Sequence, residues 1–322
     1  MAYQRISEEE RTCIYRWKQA GKGVREIGRL LGRDAGSISR EIGRNSGRKG
    51  YRPKQAHEMA VERARRSGYR RLTQEVRDDI ESKVRQGWTP DMIAGRAWKE
   101  GRPHVCKETG YRYIYADAKA GGTLWTYLPR AGRKRMRRCP RADGRGRIPN
   151  RRSIDTRPAE VEDRRQVGHW EGDLVNGSAG SGNLVTLVER STRYALVGRV
   201  GTKEADEVYS EICRLLGGVP EKARSTLTLD NGKEFARHEA VASELSIGVF
   251  FAHPYHSWER GSNENRNGMV RRIHPKKSSF ADVGKAELLR LDDFLNDRPM
   301  KCLGWATPRE KMSEYLSASR RK

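Results

Sequence analysis

Three carboxylates in the second half of the chain stand where they could do chemistry together. Asp173 lies in an apolar run beside Trp170 and Leu174, although aspartate is depleted in strands. Asp230 ends the run Thr226–Asp230 ahead of an Asn231-Gly232 turn, and Glu264 follows Ser262 at the start of a helical stretch. Hard divalent cations take oxygen ligands, and two of them about 3.5–4 Å apart can activate an attacking water or hydroxyl and stabilise a leaving 3′-oxygen at phosphorus. Three such acids repel one another unless a cation sits between them. Local readings compete: Asp230-Asn231-Gly232 also spells a plain turn, Glu264 also suits a helix dipole, and Glu171 shares the strand face of Asp173 and rivals it.

These acids need a frame. From residue 168 the texture is of short β-rich runs, His169–Val175, Leu184–Glu189, Tyr194–Val200, Thr226–Asp230 and Ile247–Phe251. Val208, Ile212 and Leu215 mark a helix between the third and fourth runs, and Phe235, Ala242 and Leu245 mark one between the fourth and fifth. The resulting order βββαβαβ fits a ribonuclease-H-like α/β fold, in which the first and fourth strands are neighbours and set Asp173 against Asp230. Glu259 also follows the fifth run. Gly261 disfavours helix before it, so Glu259 is expected in a loop, paired with an arginine, while Ser262 is expected to cap a helix bearing Glu264 in its first turn.

The first half reads differently. The 322 residues carry 66 Lys+Arg against 42 Asp+Glu, net +24, and residues 1–152 hold +22 of it. Such a charge implies a polyanionic partner, with nucleic acid first. Ser7 and Glu10 form a capping box ahead of Ile14 and Trp17; Val24, Ile27, Leu30 and Leu31 recur at helical spacing up to Gly32; Asp34 then caps a helix bearing Ile38 and Ile42. Helix, glycine turn, helix is a helix-turn-helix signal, and the face opposite Ile38 and Ile42 offers Ser37, Arg40 and Arg44 to DNA. A second, helix-turn-helix-like DNA-binding unit has Thr73 and Thr89-Pro90 as caps and a further helix, a second candidate to read DNA, offering Lys107 and Arg112, where Tyr111, Tyr113 and Tyr115 also suit a core and Gly110 costs about 1 kcal/mol.

Between the halves, Arg130–Arg152 packs eleven Lys/Arg into 23 residues with one acid, and Arg133, Lys134, Arg135, Arg137 and Arg138 are expected to track DNA phosphates. The expected domains are a helix-turn-helix domain at 1–50, a linker at 51–71, a second helical domain at 72–129, a basic linker at 130–160 and the catalytic α/β domain at 161–318. Five scattered cysteines without a CxxC argue against both a disulfide framework and a thiolate zinc site. His253 and His256, lacking a cysteine pair, read as loop or DNA contacts. Neither a bilayer-length apolar run nor a signal sequence is evident, so a cytosolic protein without a membrane partner is expected.

His169-Trp170-Glu171-Gly172-Asp173, Thr228 to Phe235, and Phe251-Ala252-His253-Pro254-Tyr255 through Trp258 to Asn265 together resemble the bacterial insertion-sequence transposases of the IS-thirty type. Arg298-Pro299, Lys301 to Trp305 and Thr307-Pro308 resemble that family's C-terminal signature, while Ile38 to Glu41 and Tyr111 to Tyr115 resemble its two N-terminal DNA-binding segments. Gly110 and Arg272-Ile273-His274-Pro275 depart from the pattern. The 33 residues between Asp230 and Glu264 match the spacing of the family's DDE triad. The resemblance implies a bacterial, nucleoid-associated enzyme that binds double-stranded DNA at its element's inverted repeats and at a target. It implies strand cleavage and strand transfer with Mg²⁺, or Mn²⁺ in its place, on Asp173, Asp230 and Glu264, by a homodimer or larger synaptic assembly. A repressor with an inert core, or a ribonuclease-H-like nuclease, are the alternative functions.

Overall fold

The computed structural model describes residues 5–69, 72–129, 148–254, 256, 259 and 261–318, and the chain divides into two compact units, Met1–Asp79 and Ile80–Lys322. Arg133, Lys134, Arg135, Arg137 and Arg138 lie outside the described residues.

In the first unit, α1 (Glu8–Gln19) opens on the Ser7–Glu10 capping box, α2 (Val24–Leu31) ends at Gly32 in a left-handed conformation, and α3 (Ala35–Asn45) is capped by the Asp34 carboxylate accepting from Ser37 N. A short hairpin of β1 (Ser46–Gly47) and β2 (Gly50–Tyr51) leads into α4 (Pro53–Tyr69). Ile14, Ile27, Ile38, Tyr51 and Ala56 form the core. Tyr51 and Ala56 correct one expectation: most of 51–71 is a helix of this domain rather than a linker. Its buried core residue is Ala56, too weakly apolar to mark the helix against so many charges.

The second unit begins within α5 (Gln74–Arg85) and continues through α6 (Pro90–Lys99), capped by Thr89, and α7 (Lys107–Lys119). Gly110 has a packing reason, since a Cβ there would lie 3.0 Å from the Pro90 ring. Of the three tyrosines, Tyr113 donates to Glu81 at 2.6 Å and Tyr115 is exposed, so the core position on α7 belongs to Ile114. The α/β part starts before 161: Ile148 is in its core, Phe251 N donates to Arg152 O, and the short helix α8 (Glu160–Asp163) precedes the sheet.

The sheet comprises β3 (His169–Asn176), β4 (Asn183–Glu189), β5 (Ala195–Val200), β6 (Thr226–Leu229) and β7 (Gly248–Phe251), in the order β5-β4-β3-β6-β7. β4 runs antiparallel to β3 and β5, whereas β6 and β7 run parallel to β3. This is the ribonuclease-H-like arrangement that the element order implied. The helix expected around Phe235 is split: Lys233–Phe235 form a 3₁₀ turn, and α10 (His238–Leu245) follows, while α9 (Ala205–Gly217) stands as expected.

Alternation along the strands divides the core in two. Trp170, Leu174, Val185 and Leu187 meet α9 and α10 on one face; Val175, Leu184 and Val188 meet α11 (Gly261–Ile273) and α12 (Lys285–Asn296) on the other. All of β4 is buried, as a strand covered on both faces must be. Gly172 lets β3 and β6 close, because a Cβ there would sit 2.6 Å from Leu229 Cδ2.

The segment resembling the C-terminal signature docks α6 and α13 (Pro308–Ala318) together. The Trp305 ring lies where a Cβ on Gly95 would be, 2.1 Å from its nearest atom, and Arg96 grips Glu310 bidentately at 2.6 and 2.7 Å. Buried Arg298 donates to Gly87 O at 2.6 Å.

Candidate active site

Asp173 comes from β3, Asp230 from the turn after β6 and Glu264 from α11. β3 and β6 pair in parallel with Glu171 opposite Thr228, and Asp173 and Asp230 each lie two residues further along their own segments. Asp230 lies just past the end of β6, where its Oδ1 accepts from Gly232 N at 3.0 Å. The adjacent Asn231 donates to Ala252 O at 2.7 Å, tying this turn to the end of β7. The turn reading and the ligand reading of Asp230 are therefore compatible: the turn holds the side chain at the sheet's edge.

Glu264 sits in the first turn of α11 and is exposed. The helix runs along β3 in the same direction. Asn263 Nδ2 donates to Glu171 O at 2.9 Å, Asn267 Nδ2 to Asp173 Oδ2 at 2.7 Å, and Arg271 to Asn176 O at 2.5 Å. Asp173 Oδ1 accepts from Leu174 N at 2.9 Å, so both carboxylate oxygens are held. Glu264 is one turn before Asn267 and thus on the same flank of the helix.

Two expectations about this segment change. Ser262 is not a cap: α11 begins at Gly261, and the Ser262 hydroxyl instead accepts from Arg193. The helix end is satisfied by Glu171, whose Oε2 accepts from Asn263 N at 2.9 Å. Glu171 Oε1 takes Arg190 Nη1 at 2.6 Å, with both side chains buried. The rival of Asp173 is thereby committed to a buried ion pair and a helix terminus.

Glu259 lies in a 3₁₀ turn ahead of α11, and its carboxylate meets two histidines; Trp258 and Arg260, beside which an arginine pairing was expected, lie outside the described residues. Oε1 lies 2.8 Å from His253 Nδ1 and 3.2 Å from His256 Nδ1, and Oε2 accepts from His253 N at 2.8 Å. His253 Nε2 in turn donates to Asp155 Oδ2 at 3.0 Å. Hydrogen bonds to Glu259 first, and Asp155 second, hold the His253 imidazolium above the usual histidine range. Burial raises the Glu259 carboxyl, but the His253 and His256 contacts reverse this and leave it lowered.

Asn267 and Asp155 were missed from sequence. The first had a signal: Asn263, Asn267 and Val270 share one helical face, an amide stripe where a core helix usually carries aliphatics. Asp155 is remote in sequence, and nothing local marks it.

In the first unit, Ser37, Arg40 and Arg44 share the outer face of α3, with Arg40 and Arg44 exposed. With Arg33 and Arg63 they line a groove of about 560 Å³. Arg63 also donates to Arg44 O and Asn45 Oδ1, at 2.8 and 2.9 Å, bracing the end of α3. On α7, Lys107 and Arg112 are exposed, each within 4.0 Å of an acid, Asp91 and Glu108. Among the described residues no helix is long and apolar enough to cross a membrane.

Residues 2–45 match the helix-turn-helix domain family. The chain is 36% identical over 315 residues to the transposase for insertion sequence element IS4351 of Bacteroides fragilis, covering 97% of this chain and 96% of that one. It is 32% identical over 324 residues to transposase InsI for insertion sequence element IS30A of Escherichia coli K12, covering 96% and 83%. Among solved structures, the catalytic core domain of BIV integrase aligns with 47% of this chain and 97% of its own, at 19% identity and a TM-score of 0.37.

Proposed function

The chain belongs to the bacterial insertion-sequence transposases, of the IS30 type, and from that premise we propose that it binds its element's inverted repeats and cleaves and rejoins DNA at Asp173, Asp230 and Glu264. The observation that supports this reading is the tether of the Glu264 helix to Asp173 through Asn267, with Asp173 and Asp230 each two residues beyond the paired Glu171 and Thr228.

The donor set fits the expected ion. Three carboxylates with no imidazole or thiolate among them suit Mg²⁺, or Mn²⁺ in its place, rather than softer metals. Bound there, Mg²⁺ supplies Lewis-acid polarisation of the phosphodiester and lowers the pKa of the attacking water or 3′-hydroxyl. The chain's own contribution is placement. Leu174 N and Asn267 Nδ2 fix the Asp173 carboxylate, Gly232 N fixes that of Asp230, and Glu171 anchors the helix end that presents Glu264. The exposed flank carrying Glu264 leaves the DNA backbone a route of approach.

Reading is assigned to α3. Ser37, Arg40 and Arg44 face a groove edge, while Lys107, Arg112 and the 130–138 basic run add phosphate contacts that position rather than specify. Handling two element ends in one reaction takes two reading units, so the working assembly is a homodimer or larger.

The test is a strand-cleavage and joining assay of the full-length protein on DNA carrying the element's ends. With Mg²⁺ it is expected to yield nicked and joined products, and Asp173→Asn, Asp230→Asn and Glu264→Gln are each expected to abolish them while leaving repeat binding intact. Repeat binding without cleavage in Mg²⁺ or Mn²⁺ would make the protein a repressor instead, and cleavage indifferent to sequence would make it a nuclease.

A further inference from the structure

We propose that His253, His256 and Glu259 form a second metal site, separate from the triad, that takes a borderline divalent ion of the Zn²⁺ class and fixes the loop leading into α11. The sequence offered only two histidines without a cysteine pair. The fold supplies the rest of the donor set.

The backbone brings the three side chains together. His256 N donates to His253 O at 3.2 Å and Glu259 N to His256 O at 3.0 Å, two consecutive three-residue turns. One ligand atom from each of His253, His256 and Glu259 lies within 4.8 Å of the other two. Tetrahedral Zn²⁺ with bonds of about 2.0–2.1 Å spaces its ligand atoms about 3.3 Å apart. The His253–Glu259 and His256–Glu259 separations of 2.8 and 3.2 Å need only a small expansion to reach that spacing.

The support behind the ligands is also in place. A metal-binding imidazole normally donates its other ring N–H to a carboxylate, which fixes the tautomer and the ring direction. His253 does this through Nε2 to Asp155 Oδ2 at 3.0 Å. An ion entering at Nδ1 replaces the proton there, which leaves to solvent, and keeps the Nε2–H bond to Asp155. Two imidazoles and one carboxylate leave a fourth position for water, and both histidines are about two-fifths exposed, at 37% and 43%, so the site has an entry path. Imidazole donors select Zn²⁺ or Co²⁺ over Mg²⁺, which keeps this site chemically distinct from the three acids. An ion here would tether the turn five residues before Glu264 to the segment around Asp155, ahead of β3.

The test uses untagged full-length protein in an Asp173→Asn, Asp230→Asn, Glu264→Gln background, so that the triad cannot contribute ligands. Titrated with Co²⁺, it is expected to take up one equivalent with the visible absorption of a four- or five-coordinate ion, displaced by Zn²⁺ but not by excess Mg²⁺. His253→Gln with His256→Gln is expected to remove that absorption, with circular dichroism confirming the fold. Asp155→Asn, at an exposed position that keeps every ligand, is expected to weaken binding by about 10–100-fold. Absence of the absorption in the triad-disabled protein, its persistence after the double histidine substitution, or its displacement by Mg²⁺ would each overturn the proposal.

Discussion

Asn267 donates its amide to Oδ2 of Asp173 at 2.7 Å from a position one helical turn beyond Glu264. One flank of α11 therefore both presents one proposed ligand and orients another. Asn267 is itself held, since the Thr186 hydroxyl lies 2.8 Å from its Oδ1. Asn267→Ala is expected to slow Mg²⁺-dependent strand cleavage by about 10–100-fold and to raise the Mg²⁺ concentration needed for half-maximal rate, with end binding unchanged. An unaltered Mg²⁺ dependence would reduce Asn267 to a packing residue.

Glu171 separates positioning from ligation. Its carboxylate is buried between Arg190 and the start of α11, and removing it leaves the buried Arg190 to the largely exposed Glu162, 3.2 Å away. Glu171→Gln is expected to lower unfolding stability by about 3–5 kcal/mol in urea titrations. A variant of normal stability and no cleavage would mark Glu171 as a metal ligand after all.

How far the sequence reveals this site depends on the range of each contact. Ser7, Asp34 and Thr89 are legible as caps because their partners are within three residues. Ser262 fails under the same local rule because the end of α11 finds its carboxylate 92 residues away in Glu171. The contacts of Glu259 with His253 and His256 are hidden for a related reason, since no neighbouring charge signals them. The strand pattern is legible through its two-residue alternation, which put Asp173 within β3 and Asp230 just after β6. The helix 53–69 is obscured because its buried core residue, Ala56, is an alanine and not a leucine.

The Arg96–Glu310 pair gives a pH dependence with a defined sign. The Arg96 guanidinium, through paired hydrogen bonds, lowers the Glu310 carboxyl to about 2 from an ordinary 4.5. A carboxyl depressed on folding adds stability that is full above the unfolded value and lost as pH falls through the folded one. The pair is partly exposed, so its worth is at most about 1 kcal/mol. Thermal unfolding of wild type and Glu310→Gln is expected to differ at about pH 6, to converge as pH drops below about 4.5, and to coincide near pH 2. A difference that persists unchanged down to pH 2 would assign the effect to packing around Trp305.

Arg40 and Arg63 line the same groove, and their contacts assign them different work. Arg40 is exposed, and it is tethered to Ser37 Oγ at 3.2 Å and, more loosely, to Asp34 at 3.9 Å, both on the turn of helix that would enter a groove of DNA. A guanidinium so lightly held can swing to a base edge, where a bidentate contact discriminates by about 1–3 kcal/mol. Arg63 instead spends its donors on Arg44 O and Asn45 Oδ1, and so supports α3 from behind. Arg40→Ala is therefore expected to reduce the preference for element ends over random DNA by that 1–3 kcal/mol, about 5- to 150-fold, while changing random-DNA affinity little. Arg63→Ala is expected to weaken both substrates by the same factor and to lower the melting temperature of the 1–79 unit. Competition binding at fixed salt, with end and scrambled duplexes of equal length, reads both quantities at once. Equal losses on the two duplexes for Arg40→Ala would make it a phosphate contact and move base reading to Ser37 and Arg44.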